Sequence, residues 1–319
     1  MNLHEWPLTL FTVLAQMSVG AFITLGIIQL AGRRKFSSAV VDRVADPALY
    51  AIGPIMICSF VASMFHLGNP LHAPNVLRGV GHSPLSQEIV MGMGFAALGF
   101  AFAACQYFGW LSPKLRSFLA ILTAAWGVVF VYVMASLYMI ITVPAWNNWT
   151  TPVSFYLTSL ITGSLAIAVA LTSYHWLGDK AWLNKLMPRN ELHSAEEERD
   201  TALLIPQALQ WIGVIVMVAV PLQLVVLLVS ALRNDGPAAH FEFSPVAWVI
   251  RLVFLLVGAG LMVAYLLNQS SILRPVSDAA NHAAYKRVLI TVTSSYVLIT
   301  ISAILGRFIF YGGFNHVGL

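Results

Sequence analysis

The stretch Pro7–Leu30 reads PLTLFTVLAQMSVGAFITLGIIQL, and its composition decides the fold class of this protein. It carries no charged side chain, and a helix needs about 20 apolar residues to cross the hydrocarbon core of a bilayer. The preceding residues Met1–Trp6 contain no Lys or Arg, and the stretch is too long for the apolar region of a cleaved signal peptide. We therefore expect Pro7–Leu30 to be a membrane-spanning helix.

Seven further apolar runs of similar length follow in the sequence. None alternates polar and apolar residues as membrane β-barrel strands do, and helices are the other structure that satisfies the backbone in lipid. The sequence predicts an all-α fold: a single integral membrane domain over residues 1–319, built as a bundle of eight transmembrane helices with a charged loop at about 178–207. The predicted spans are Pro7–Leu30, Ala48–Leu67, Glu88–Leu111, Leu115–Ile141, Val153–Leu177, Ala208–Leu232, Val246–Leu267 and Val288–Gly312.

The overall composition agrees with a membrane protein. Hydrophobic residues make up 59% of the 319 residues and charged residues only 9%, whereas soluble domains carry roughly 25% charged residues. We expect the lipid bilayer as its surroundings and no nucleic acid as a partner.

The 2 cysteines, Cys58 and Cys105, are isolated in separate spans, and only His66 and His175 of the 9 histidines lie near a predicted helix. We therefore expect no iron–sulfur cluster and no haem in this protein, since both need ligands in sets.

The basic residues are unevenly distributed between the two faces of the predicted bundle. An even number of spans puts both termini on one side, and 13 of the 17 Lys and Arg fall on the opposite side. The positive-inside rule makes that richer side cytoplasmic. We expect a multi-pass protein of the bacterial inner membrane with both termini in the periplasm and the 178–207 loop in the cytoplasm.

Four ionisable side chains lie in or at the ends of predicted spans, all towards the side of the termini: His66, Glu88, Arg251 and Arg307. An ionisable group in a spanning helix is costly, so each is a candidate for function. A structural interpretation stays open for three of them. The two arginines are long enough to reach the headgroups, and Glu88 could merely charge the start of a helix.

A carboxylate and an imidazole at this depth suit the oxidation of a lipid-soluble hydroquinone. Quinol oxidation releases two electrons and two protons, and a base within hydrogen-bond reach lowers the barrier to losing each proton. Histidine titrates near neutral pH, which fits such a role. The sequence contains no redox cofactor motif, so the electrons would have to pass to another subunit.

Five stretches, in order through the sequence, resemble the membrane anchor subunit of dimethyl sulfoxide reductase, the DmsC family. The second and third include the histidine and glutamate considered above, and Asn75 and Arg78 follow the second at family-like spacing. Any one stretch alone is a weak signal, but their joint occurrence in order is specific. The stretches are His4–Leu8 with Phe11–Val13, Ala62–Pro70, Leu85–Ile89, Thr142–Trp146 and Leu305–Gly312.

The resemblance implies a three-subunit enzyme of anaerobic respiration. A molybdopterin catalytic subunit would reduce the terminal acceptor, a ferredoxin-like iron–sulfur subunit with four clusters would conduct electrons, and this protein would anchor both. It also implies that menaquinol is bound and oxidised near the periplasmic face, with the catalytic roles at His66 and Glu88. We add Asn75, Arg78, Arg251 and Arg307 to the predicted quinol-binding set, and we predict no metal ligands.

Two other functions remain open at this stage. The protein could be a purely structural anchor whose polar residues only hold a partner. It could also be a transporter, although transporters commonly contain inverted repeats and polar sites near the midplane. The sequence shows no such repeat, and its ionisable groups lie off centre.

Overall fold

The structure is a computed structural model, and it describes residues 6–66, 75, 78–177, 195–232, 245–272 and 278–312. His66 ends a helix, but its side chain lies outside the described part. The motif residues 67–70 that follow it, and the core of the 178–207 loop at 178–194, lie outside it as well.

All regular structure in the described ranges is helical, which confirms the all-α prediction. The helices are α1 Trp6–Gly32, α2 Ser38–Arg43, α3 Ala45–His66, α4 Pro84–Tyr107, α5 Pro113–Ser136, α6 Thr150–Leu177, α7 Ala195–Leu232, α8 Pro245–Ile272 and α9 Asp278–Gly312.

Among these residues, 8 segments are long and apolar enough to cross a membrane, as the sequence predicts. The short α2 and the longer α3 together form the second of them, Ser38–Phe65. The protein is therefore an eight-span membrane protein. We call the end of the bundle at which α1 and α4 begin the Glu88 end, and the opposite end the Arg116 end.

Two predicted helix starts need correction, one at the charged loop and one before the last span, where α9 begins at Asp278 rather than Val288. Helix α7 begins at Ala195, so residues 195–207 of the predicted 178–207 loop are helical. The acidic side chains of Glu196 and Glu197 lie in the first turn of this helix, where they interact favourably with the positive end of its dipole. Apolar length marks where a helix enters lipid, whereas capping and charge set where it begins.

Helix α1 lies at the centre of the bundle and contacts α3, α5, α6 and α9. Its closest neighbour is α6, because two glycines let the backbones meet. A Cβ atom built on Gly20 would lie 1.7 Å from the carbonyl oxygen of Ser159, and one built on Gly163 would lie 2.3 Å from the amide nitrogen of Ala21. Small residues permit such approaches between membrane helices. This crossing holds α1 in place, and its polar side chains Gln16 and Thr12 contact Arg307 and Tyr311 of α9.

A buried ion pair at the Arg116 end corrects the expectation that ionisable groups enter the bundle only from the side of the termini. The Arg116 guanidinium donates to both carboxylate oxygens of Asp42 and to the backbone carbonyls of Trp110 and Leu111. Both charged side chains are buried. Arg116 lies one turn inside α5, and its many acceptors compensate the cost of removing its charge from water.

Candidate functional site

The Glu88 carboxyl group is buried at one end of the bundle without a full set of hydrogen bonds. Helix α4 begins at Pro84 and is capped by the Ser83 side chain, which accepts from the Ser86 amide. Glu88 therefore lies one turn inside the helix, about 6 Å along its axis at 1.5 Å per residue. Its side chain is 4% exposed, and its Oε1 atom accepts no hydrogen bond from any described residue. Buried polar atoms are normally paired, so an unpaired carboxyl oxygen indicates a binding position.

Two tyrosine hydroxyls form a hydrogen-bonded pair within electrostatic range of Glu88. The Tyr138 and Tyr311 oxygens lie 3.1 Å apart, and Tyr311 also approaches the Thr12 hydroxyl at 3.2 Å. Tyr138 follows the end of α5, where burial raises its pKa well above the ordinary value. It therefore stays protonated and able to donate. The charge of Glu88 acts on both tyrosines, so this carboxyl lies within electrostatic range of the pair.

Arg307 lies on the other side of the tyrosine pair, one to two turns before the end of α9. Its Nη2 donates to the Oε1 atom of Gln16 at 2.9 Å, and its Cζ lies 3.7 Å from the ring centroid of Phe155. The side chain is buried, and its Nε donates to no described residue. Its charge acts on Tyr138, as that of Glu88 does. The two phenols therefore lie within electrostatic range of both a carboxyl group and a guanidinium, and we refer to these four groups as the polar network.

Aromatic rings enclose this network on the side of α6 and α9. Trp146 stacks on Phe310 with centroids 5.4 Å apart, and its indole nitrogen donates to the Phe310 carbonyl at 2.8 Å. Tyr138 meets Trp146 and Phe310 edge-on at 5.5 Å each. An apolar wall beside convergent polar groups is the usual form of a small-molecule site, and flat rings suit a flat aromatic headgroup.

Arg251 lies next to Arg307 but faces a different space. Its guanidinium packs on Gly306, where a Cβ atom would approach its Cζ to 2.5 Å, and it lies 5.4 Å from the Trp248 ring centroid. A small cavity bounded by four helices begins there and also contacts Gln223.

The predicted site residues are thus partly brought together. Glu88 and Arg307 share the network, Arg251 lines the neighbouring cavity, and Asn75 and Arg78 are exposed in the short connection before α4. The side chain of His66 lies outside the described part of the protein. Sequence reasoning missed the uncharged members Gln16, Thr12, Tyr138, Phe155 and Tyr311. Of these, Gln16 had a usable signal, because an amide in the middle of an apolar span needs a partner.

Comparisons with known proteins agree with this architecture. The family model described as DMSO reductase anchor subunit (DmsC) matches residues 1–313. The C subunit of anaerobic dimethyl sulfoxide reductase from Escherichia coli is 37% identical over 186 residues, which cover 58% of this protein and 63% of the relative. The anaerobic dimethyl sulfoxide reductase subunit YnfH, also from Escherichia coli, is 38% identical over 168 residues, covering 53% of this protein and 58% of that relative. The matched segments therefore span about three fifths of the length of these relatives.

One solved structure also resembles the fold. A subunit of the bd oxidase from Geobacillus thermodenitrificans superposes with a TM-score of 0.64, covering 97% of this protein and 85% of that subunit. At 14% sequence identity this likeness concerns the helical architecture alone. The family match, in contrast, extends over nearly the whole sequence and includes the stretches around Glu88 and Arg307. The chain belongs to the DMSO reductase anchor subunit (DmsC) family.

Proposed function

We propose that this protein binds and oxidises menaquinol at the network of Glu88, Tyr138, Tyr311 and Arg307, with His66 as a second base. One observation carries the proposal: Glu88 is 4% exposed, yet its Oε1 atom has no hydrogen-bond donor among the described residues. A quinol hydroxyl is a donor of the size and polarity that this oxygen requires. The neighbouring aromatic rings offer a flat surface for the quinol headgroup.

The chemistry follows from the arrangement of acceptors and donors. One quinol hydroxyl donates to Glu88, and the oxygen at the other side of the ring accepts from Arg307 or the tyrosine pair. Oxidation removes two electrons and two protons from the quinol and converts both C–OH groups to C=O. The protons pass to Glu88 and His66, and then to water at the nearby surface.

The two electrons leave the protein one at a time for an iron–sulfur cluster on a partner subunit. The relatives are named as subunits of anaerobic dimethyl sulfoxide reductase. We infer from this kinship that the partners are a four-cluster ferredoxin-like subunit and a molybdopterin catalytic subunit, acting in anaerobic respiration. These would dock at the Glu88 end, where the quinol site lies within electron-transfer reach of the surface.

The membrane orientation belongs to the same proposal. The excess of Lys and Arg at the Arg116 end makes that end cytoplasmic by the positive-inside rule. The Glu88 end and both termini then face the periplasm of a bacterial inner membrane. Protons and electrons leave the quinol on the same side, so this step by itself moves no charge across the membrane.

The decisive experiment uses the complete complex in its native membranes. We expect Glu88→Gln and His66→Ala to lower quinol-driven reduction by about 100-fold, because each removes a proton acceptor. Reduction driven by an artificial dye that feeds the partner subunits directly should stay normal. Glu196→Gln is the matched control, since Glu196 is exposed at the start of α7.

A purely structural anchor is the alternative that this experiment addresses. It predicts wild-type quinol oxidation in both variants once assembly is shown to be complete, and that result would remove the proposed site. Membership in an anchor subunit family gives no support to the transporter alternative.

A further inference from the structure

The cavity beside Arg251 has a chemical character of its own. It lies between α6, α7, α8 and α9, and neither Glu88 nor the tyrosine pair is among its lining residues. Its walls combine one guanidinium, one amide and several hydroxyls with aliphatic side chains. The polar lining residues are Thr158, Thr162, Gln223, Arg251 and Ser302.

The charge balance at this cavity favours an anion. Arg251 and Arg307 are close enough for their positive charges to repel each other. Within the described ranges, the ion pairs join other residues, Arg43 to Glu197 and Arg116 to Asp42. Arg251 is partly buried, and a partly buried positive charge is stabilised by an opposite charge nearby. No described carboxylate supplies one to Arg251.

The other polar groups of the cavity are hydrogen-bond acceptors, so a ligand bound there must supply hydrogen-bond donors. The Gln223 side chain is 5% exposed; its Nε2 donates to the Ser154 hydroxyl, while its Oε1 accepts from no described residue. The hydroxyls of Thr158, Thr162 and Ser302 each donate to a backbone carbonyl, so they present lone pairs to the cavity. A fitting ligand therefore carries a negative charge and, a few ångströms away, hydroxyl groups.

The position of the cavity indicates that the anion is part of a lipid. Arg251 lies about 9 Å along α8 from its first residue at 1.5 Å per residue, and the partly buried Trp248 lies one turn before it. Tryptophan marks the headgroup level of a bilayer. Beside it, Val249, Val253 and Leu256 of α8 are exposed, and such an apolar surface suits acyl chains.

We propose that an anionic phospholipid that bears free hydroxyls, as phosphatidylglycerol does, binds with its headgroup at the opening of this cavity. The phosphate accepts from the Arg251 guanidinium, and a headgroup hydroxyl donates to Gln223 Oε1. Basic pockets between membrane helices bind anionic lipids in this way. The site is separate from the quinol site and does not depend on it.

The test measures lipid retention and heat stability of the purified complex. After detergent exchange, the complex is placed in nanodiscs of phosphatidylcholine alone or with phosphatidylglycerol, and the bound lipid is quantified by mass spectrometry. We expect phosphatidylglycerol to be retained by the wild type and to raise its Tm by mass action. Gln223→Met and Arg251→Lys should each weaken retention by about tenfold, since each removes a charge-assisted or hydroxyl hydrogen bond.

Four comparisons make the result decisive. Arg287→Gln is the matched control, because Arg287 is exposed at the far end of α9, and it should retain phosphatidylglycerol as the wild type does. Equal retention in Gln223→Met and the wild type would overturn the proposal. If inorganic phosphate raises the Tm as much as the lipid does, the site binds a soluble anion. If a quinol analogue displaces the lipid, the site is part of the quinol site. Either outcome overturns the lipid assignment. If Arg251→Lys fails to assemble, Gln223→Met alone decides, because it leaves the charge in place.

Discussion

The hydroxyl oxygens of Tyr138 and Tyr311 lie 3.1 Å apart, and this contact joins the connection after α5 to the last turn of α9. The two residues are 173 positions apart in the sequence. Both tyrosines experience the charge of Glu88 and that of Arg307. The pair therefore lies within electrostatic range of both the acidic and the basic member of the candidate quinol site, and each hydroxyl can donate and accept a proton.

Removal of either phenol should slow quinol oxidation without unfolding the protein. Phenylalanine keeps the ring contacts of Tyr138 with Trp146 and Phe310 but removes the hydroxyl. We expect Tyr138→Phe and Tyr311→Phe each to lower the quinol-driven rate by about tenfold, because one hydrogen bond to the quinol or its base is lost. Tyr132→Phe, which changes an exposed phenol, is the control, and the measurement is the rate in membranes with the complete complex.

The bond between Arg307 and Gln16 should be measurable as a coupling. Its Nη2 to Oε1 distance is 2.9 Å in a buried setting, and contacting residues show interaction energies of about 0.5–3 kcal/mol. We expect Arg307→Gln and Gln16→Leu to destabilise the complex by less together than the sum of the two single changes. The first measurement is the Tm of the wild type, the two single variants and the double variant in one detergent. The second is the KM for quinol, which should rise in Arg307→Gln and in the double variant. Strict additivity would show that the bond contributes nothing.

The crossing of α1 and α6 should not tolerate a methyl group. A Cβ atom at Gly20 would overlap the Ser159 carbonyl at 1.7 Å, so the helices must separate to accommodate it. We expect Gly20→Ala to lower stability by about 1–3 kcal/mol through overpacking and to reduce the amount of assembled complex. Gly260→Ala is the matched control, because no atom lies within 4 Å of its added Cβ. A wild-type Tm for Gly20→Ala would show that α1 and α6 are farther apart than described.

The ion pair of Asp42 and Arg116 should be important for stability and unimportant for quinol oxidation. Removing one partner leaves a buried charge uncompensated, which typically costs about 3–5 kcal/mol. We expect Arg116→Gln to lower the Tm and the yield strongly. The quinol-driven rate per assembled complex should stay close to the wild type, because Arg116 lies at the end opposite Glu88. A selective loss of rate at full assembly would instead connect this end to the chemistry.

The sequence by itself determined the fold class, the number of spans and the end of the bundle at which Glu88 and Arg307 lie. These properties are local, because about 20 consecutive apolar residues suffice to specify a spanning helix and successive spans then alternate in direction. Helix ends were less predictable: α7 begins at Ala195 rather than near 208, since its first turns are charged and lie outside the apolar run.

Only the tertiary structure decided which of these residues meet. It brings Tyr138, Tyr311 and Gln16 to Glu88 and Arg307, directs Arg251 into a cavity with Gln223, and buries Asp42 against Arg116 at the other end. The physical reason is that every apolar helix face is equally acceptable to lipid, so the order and rotation of the helices depend on shape. The close approach at Gly20 and Gly163 and a few buried hydrogen bonds set that packing, and neither leaves a periodic signal in the sequence.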